Sequence, residues 1–367
     1  MKKIILLALF LACLFPFQVS AQGKKPTEER FEARVIQVVE NSMIIEDNGN
    51  SHPFQKLRLL ATTGKSKGKE VTVENGKYDQ TGLSVYKEGD LLVLTDSKGP
   101  DGISNLTITD YVRRTPIFIL FLIFVVLAII VGTKRGLSSL FGMGITFAIL
   151  FYYVLPQISK GTDPLLVSSL TAFAVIPLTF FLSHGINKKT FSAIAGTFLT
   201  LLIVGVMAYI SVEQAHLTGF ASEEASYLSV MKNGHINIKG LLFAGIVIGL
   251  LGVLQDITVS QAAVVYQLKK ASKNMPTSEL FARAMDVGRD HIASMTNTLI
   301  LVYAGASLPL LLLFINNPLP FSQVINSEQI AQEIIVALIS SIGLILAVPI
   351  TTLITTLITS LETQKGK

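Results

Sequence analysis

The chain has 367 residues, half of them apolar, only 15% charged and none tryptophan; the apolar residues gather in long blocks, which excludes an ordinary soluble globular protein. The net charge of +5 does not point to nucleic acid, because lysines and arginines flank the apolar blocks, where they set orientation. Cys13 is the only cysteine, so the residues after it hold neither a disulfide among themselves nor a cysteine metal site.

Met1-Lys2-Lys3, the apolar run 4–17 and Val19-Ser20-Ala21 read as a signal peptide, 1–21, with an uncleaved anchor as the rival reading. Residues 22–112 change character. Short β-branched and apolar runs predict strands at 32–39, 42–46, 54–60, 69–74, 91–95 and 106–110, with turns at Asn48-Gly49 and Asn75-Gly76. This rhythm predicts a small β-barrel or sandwich domain on the extracytoplasmic side. The run 64–69, GKSKGK, lacks P-loop spacing and reads as a solvated hairpin loop.

From residue 113 to 367 the chain reads as an α-helical polytopic membrane domain. Spans are expected at 116–132, 137–158, 164–184, 191–212, 240–268, 293–315 and 331–360. Loops expected inside carry Lys134-Arg135, Lys188-Lys189, the basic residues between Lys269 and Arg289, and Lys365 with Lys367. Loops expected outside carry Asp163, Glu213, Glu223, Glu224, Glu328 and Glu333. With the β domain outside, about seven spans place the C-terminus in the cytoplasm. The acids and histidines of the outer loop, Glu213, His216, Glu223, Glu224 and His235, have no tight ligand spacing, so no metal and no cofactor is expected.

The fifth expected span, 240–268, makes roughly 43 Å of helix against about 30 Å of hydrocarbon. It places Gln255 and Asp256 mid-membrane. Gly245, Gly249, Gly252, Asp256 and Ser260 recur on one stripe, which predicts that the acid faces another helix rather than lipid. An ionisable group at that depth keeps its proton, finds a partner or meets water. Asp256 is thus either a hydrogen-bonded packing acid or part of a site for a proton, an ion or a small solute.

After Pro276-Thr277-Ser278 an amphipathic helix is expected along the inner face, with Leu280, Phe281, Ala284 and Val287 on its apolar side, ending near 288–291. Arg289, Asp290 and His291 form a candidate cytoplasmic-edge site, His291 being either a titrating group or part of an interfacial anchor. The sixth span then opens with Ser294, Asn297 and Thr298. If the long fifth helix extends into the cytosol, Asp256 and Asn297 come to similar depth. The candidate intramembrane polar site is therefore Gln255, Asp256, Ser260, Gln261, Ser294, Asn297 and Thr298. No serine-histidine-acid set, HExxH or GxGD pattern appears, so no enzyme is expected.

The segments LQDITVSQAAVVYQLKKAS (254–272) and GRDHIASMTNTLILVYAGASLPLLLL (288–313) resemble the YibE/F family of bacterial multi-pass membrane proteins. TTGKSKGKEVTVENG (62–76) with Lys87-Glu88-Gly89-Asp90 is similar to that family too. The resemblance covers nearly all of the chain after the leader. Its matching positions are Asp256, Ser260, Gln261, Gly288, Arg289, Asp290, Asn297, Thr298, Leu299 and Pro309. It implies a bacterial cell membrane location but carries no biochemical activity. In plan, Asp256 with Val264-Val265 and then Asn297-Thr298-Leu299 is also similar to the SecDF and RND proton-driven proteins; those insert a large outward domain between their first two spans, whereas here the β domain precedes the first. The functional expectation is a transporter or export-linked component in the lipid bilayer, with a polar site between the fifth and sixth spans. The contrasting expectation is an assembly or sensor protein that binds a membrane or extracytoplasmic protein partner.

Overall fold

A computed structural model describes residues 28–45, 51–77, 83–98, 104–232, 234–316 and 319–365; the expected leader and the Asn48-Gly49 turn lie outside these residues. The chain divides into two compact units between Leu127 and Ala128.

The first unit holds a five-stranded antiparallel sheet in the order β3-β2-β1-β4-β5, formed by β1 (Glu28–Ile45), β2 (Ser51–Ala61), β3 (Glu70–Asn75), β4 (Leu91–Lys98) and β5 (Ser104–Tyr111). The strands read at 32–39 and 42–46 are one strand. Bulges at Val35/Gln37 and Val38/Glu40 interrupt its alternation, and a bulge bends a strand without ending it. Bent in this way, β1 pairs with β4 through Glu28 to Arg34 and with β2 from Ala33 onward. Inward residues alternate as period two demands: Phe31, Ala33 and Val35 meet Leu57, Leu59, Val73, Leu92 and Leu94 in one buried cluster. Tyr86, from the non-strand segment 83–90, closes the cluster. Gln55 holds that segment as a neighbouring strand would, its Oε1 accepting from Tyr86 N (2.7 Å) and its Nε2 donating to Tyr86 O (3.0 Å). At the Asn75-Gly76 turn Gly76 has φ 81°, and a Cβ there would lie 2.1 Å from the Pro53 carbonyl oxygen, so only glycine fits. Arg114 forms a two-pronged ion pair with Glu32, fixing the start of the first helix to β1.

The helices are α1 (Arg114–Ile149), a π-helical turn (Leu150–Val154), α2 (Leu155–Ser159), α3 (Pro164–His184), α4 (Lys188–Gln214), α5 (Glu223–Met231), α6 (Ile238–Ala271), α7 (Thr277–Ala306), α8 (Leu308–Ile315), α9 (Phe321–Val324) and α10 (Glu328–Lys365). Side chains just before the first turn explain where several begin. Asp163 accepts from Leu166 N, Asn187 from Thr190 N, Ser222 from Ala225 N and Asn237 from Gly240 N.

Among the described residues, five helical stretches are long and apolar enough to cross a membrane, or six if α7 and α8, bent by 68°, form one span. The spans read at 116–132 and 137–158 fall inside one stretch, Arg114–Ser159, with a break at Thr133 (φ 54°, ψ −133°). A Cβ on Gly136 would lie 2.0 Å from the Ala128 carbonyl oxygen, although eight residues of straight helix separate such positions by roughly 12 Å. The helix therefore bends sharply at Thr133. The expected amphipathic helix does not end near 288–291. It continues unbroken to Ala306, because Gly288 serves close packing rather than a turn: a Cβ there would lie 2.4 Å from Val348 Cγ1.

In this second unit α10 packs against α4, α6 and α7, while α6 also touches α3 and α4. Leu250, Leu254, Ile257, Leu217, Val204, Ile339 and Val348 form its main buried cluster. The loops expected outside are tied to one another. Lys232 Nζ reaches Ser159 Oγ (2.9 Å), Asn237 Nδ2 reaches Asp163 Oδ2 (3.2 Å), Glu328 accepts from Thr218 N (2.6 Å), and Lys239 pairs with Glu213 (2.6 Å). At the opposite end, α6 meets the start of α7 through Val265, Leu280 and Ala284.

Candidate functional site

Asp256 lies on the exposed stripe of α6, and among the described residues it makes no hydrogen bond and no ion pair. The stripe exists as the spacing predicts, but no helix among the described residues covers it: none of them comes within 4 Å of a Cβ built on Gly245, Gly249 or Gly252. The expectation that Asp256 faces protein is thereby corrected for the single chain. The glycines permit a close approach that no segment of the second unit makes.

Gln255 and Ser260 are partly buried beside it, and Thr179 Oγ1 of α3 donates to Gln255 Oε1 at 3.4 Å. Gln261 is fully buried. Its Nε2 donates to Ala284 O (2.9 Å) and to Thr352 Oγ1 (2.7 Å), so one amide joins α6, α7 and α10. Its Oε1 is buried without a hydrogen-bond partner, against the face that Gly288 leaves open.

On α7, Ser294, Asn297 and Thr298 are exposed, and Thr298 Oγ1 donates to Ser294 O (3.0 Å). Asp256 and Asn297 do not meet. Gln261 lies against Ala284 and Gly288, and Val265 against Leu280 and Ala284, in an antiparallel register that levels Asp256 with residues 289–293. Asn297 stands four to eight residues further along α7, roughly 6–12 Å away in depth. The partners at the level of Asp256 are instead those read as a cytoplasmic-edge site. Arg289 is exposed and paired with Asp286 (2.5 Å), Asp290 is exposed, and His291 is partly buried with Nδ1 lacking a partner.

A polar seam that spacing alone did not single out runs through the buried interior. Thr197 and Thr258 share a hydrogen bond of 2.8 Å between α4 and α6. Thr351, Thr352, Thr355, Thr356 and Thr359 of α10 are all buried. Its signal in the sequence is the run TTLITTLIT (351–359), in which hydroxyls recur on one side of a helix. Most of these groups are satisfied locally: Thr352 donates to Val348 O, Thr355 to Thr351 O and Thr258 to Leu254 O. Thr351 Oγ1 is packed onto Gly196, where a Cβ would lie 2.3 Å away. An apolar cavity of about 450 Å³ between α3, α4 and α6, lined by Phe173, Phe198, Leu202, Tyr209 and Phe243, includes none of the candidate residues. Among the described residues no three histidines, cysteines or acids converge as a metal site would require.

Long apolar helices with a polar seam and an exposed mid-span acid define a membrane-embedded helical protein that carries an antiparallel sheet at its N-terminal side. Residues 120–361, more than half of the chain, match the family described as YibE/F-like protein, and the chain belongs to that family. No curated protein and no solved structure matches it.

Proposed function

We propose that the protein is a transporter or export-linked component of the cell membrane, and that Asp256 is the group at which a proton, an ion or a small solute is held. The observation that carries this reading is the unpaired, exposed carboxylate in the middle of an apolar helix. Facing hydrocarbon, it would cost about 2.5–3.5 kcal/mol or more when charged. It therefore faces water or protein. Polar side chains on the neighbouring helix favour water. Counting about 100° per residue, Asp256 sits on the flank of α6 between the side touching α3 through Gln255 and the side touching α7 through Val264. By the same count Asp290, Ser294 and Thr298 lie on the edge of α7 turned away from Met285 and Ile292, which pack into the core. On this reading Asp256 and that edge share one water-filled cleft. Asn297 would then line the cleft further along, as a relay position and not as the partner of the acid.

On this reading the chain crosses seven times, with the break at Thr133 separating the first two spans, so that the sheet lies outside the cell and the C-terminus inside. The test is accessibility. In a Cys13→Ser background, Asp256→Cys should react with a charged, membrane-impermeant thiol reagent, and Asp256→Asn should abolish complementation of a deletion strain at normal membrane abundance. Labelling by lipophilic maleimides alone, or full complementation by Asp256→Asn, would overturn the proposal.

A second reading, an assembly or sensor protein, is favoured by one observation: the uncovered glycines at 245, 249 and 252 suit a partner helix. On that reading Asp256 is a packing acid hydrogen-bonded to the partner, and a charged reagent does not reach it.

A further inference from the structure

The apolar stretch that begins with α7 breaks at its C-terminal end. Pro309 has no N–H to return to the Gly305 carbonyl four residues back, so α7 stops at Ala306 and α8 leaves it at 68°. Beside the bend is a cleft of about 440 Å³ between α8 and the start of α10, walled by Leu311, Phe314, Phe321 and Ile330. Among the described residues only two polar ones line it, Ser307 at the break and Glu333 in the second turn of α10. Ser307 Oγ donates to Glu333 Oε2 at 3.0 Å, and among the described residues Glu333 has no other partner. Glu328, one and a half turns earlier, is by contrast engaged by the N–H groups of Thr218 and Gly219. No lysine, arginine or histidine occurs between His291 and Lys365, so the segments that build the cleft hold no cation to balance Glu333.

We infer that this cleft binds a small lipophilic cation, with its apolar body against the phenylalanine-bearing walls and its positive charge on Glu333. The volume and the lining, apolar with few polar groups, are those of a small-molecule site. A carboxylate among apolar neighbours gains most from a partner that brings both a positive charge and apolar surface. Phe314 and Phe321 add ring faces that attract cations. One carboxylate and one hydroxyl are too few oxygens for a bare divalent ion, which takes six or more. A phospholipid with an ammonium head would bring its phosphate beside Glu333, with no basic residue in the lining to receive it. The site is separate from Asp256. Ser307 stands 14 to 18 residues beyond the α7 level of that acid, roughly 21–27 Å along the helix, and the inference does not depend on the role proposed there.

The experiment uses the full chain in phosphatidylcholine nanodiscs and tritiated tetraphenylphosphonium, read by scintillation proximity with empty discs subtracted. Binding should saturate, and neutral triphenylphosphine oxide at the same concentration should displace little of the probe. Glu333→Gln keeps an acceptor for Ser307 and should weaken binding at least tenfold. Ser307→Ala removes the hydrogen bond but keeps the charge, and should bind within twofold of the unaltered chain, as should Asp256→Asn. Non-saturating binding, or undiminished binding by Glu333→Gln, overturns the inference. Equal losses in Glu333→Gln and Ser307→Ala would also overturn it, since they would make Glu333 a pin for the helix break. Loss in Asp256→Asn alone would move the cation to Asp256, and displacement of the probe by phosphatidylethanolamine in the discs would assign the cleft to lipid; either result overturns the inference.

Discussion

The side-chain amide of Gln261 donates to the hydroxyl of Thr352 at 2.7 Å, and that hydroxyl donates in turn to the Val348 carbonyl within its own helix. Two helices are joined here by a bond that water does not reach, since both residues are fully buried.

Removing the amide leaves a gap and takes away the bond that Thr352 accepts, though not the one it donates to Val348, so Gln261→Ala should lower stability by about 1–3 kcal/mol. Thr352→Val keeps the shape but leaves a buried Gln261 N–H without its acceptor, and should also cost about 1–3 kcal/mol. Their coupling in a double-mutant cycle should be near 0.6 kcal/mol, typical of hydrogen bonds between membrane helices. Unfolding in mixed detergent micelles measures all three, and strictly additive effects would show that the bond contributes nothing.

Two glycines of the bundle should respond oppositely to the same change. Gly196→Ala drives a methyl group to 2.3 Å from Thr351 Oγ1 and 3.2 Å from its Cα, and should destabilise by about 1–3 kcal/mol. Gly249→Ala meets nothing within 4 Å and should be neutral or stabilise by up to about 1 kcal/mol through helix propensity. Gly249→Leu then separates the functional readings. Normal stability with lost complementation would reveal a partner helix on the open stripe, whereas retained activity would leave that stripe free.

Alkaline pH should weaken the sheet unit. Burial, with smaller contributions from Tyr111 and Asp110, holds the Tyr86 phenol above its ordinary value of 10.0. The fold thus favours the neutral phenol. Stability linked to Tyr86 is complete below pH about 10 and declines as pH climbs from there through the raised folded value, because the unfolded phenol ionises first. Tyr86→Phe should flatten this decline. Denaturant unfolding at a series of pH values, with tyrosinate absorbance as the probe, gives the comparison; an unchanged slope in Tyr86→Phe would assign the effect to other groups.

The side of the membrane is open to direct measurement. Reporter fusions at Gly161, Gly219 and Asn316 should read outside the cell, and fusions at Lys134, Lys188 and Lys273 inside. An inside signal at Gly161 together with an outside signal at Lys134 would reverse the arrangement. Activity at Lys134 matching that at Gly161 would mean that the chain does not cross between them, despite the break at Thr133.

Periodicity drew most of the helices and strands, though not the bulges that make 32–39 and 42–46 one strand or the unbroken course of α7, and it placed Asp256 on the same stripe as the glycines. It was silent on whether a neighbour fills that stripe, since small residues record permission for contact and not the contact itself. The depth match between Asp256 and Asn297 failed for a related reason. It depends on the register between α6 and α7, which Val265, Leu280 and the close approach at Gly288 fix through packing. Gln55 shows the same limit in the sheet. A glutamine inside a strand reads as an outward residue, and only the path of the 83–90 segment turns its amide into a substitute for a strand edge.

The hydroxyls of α10 have a mechanical consequence. A threonine bonded to a carbonyl of its own helix carries that bond along when the helix moves, so a shift of α10 against α4 breaks no bond made by Thr352 to Val348 or by Thr355 to Thr351. Gln261 differs in kind: its amide reaches Thr352 from α6, so the same shift against α6 does break that bond.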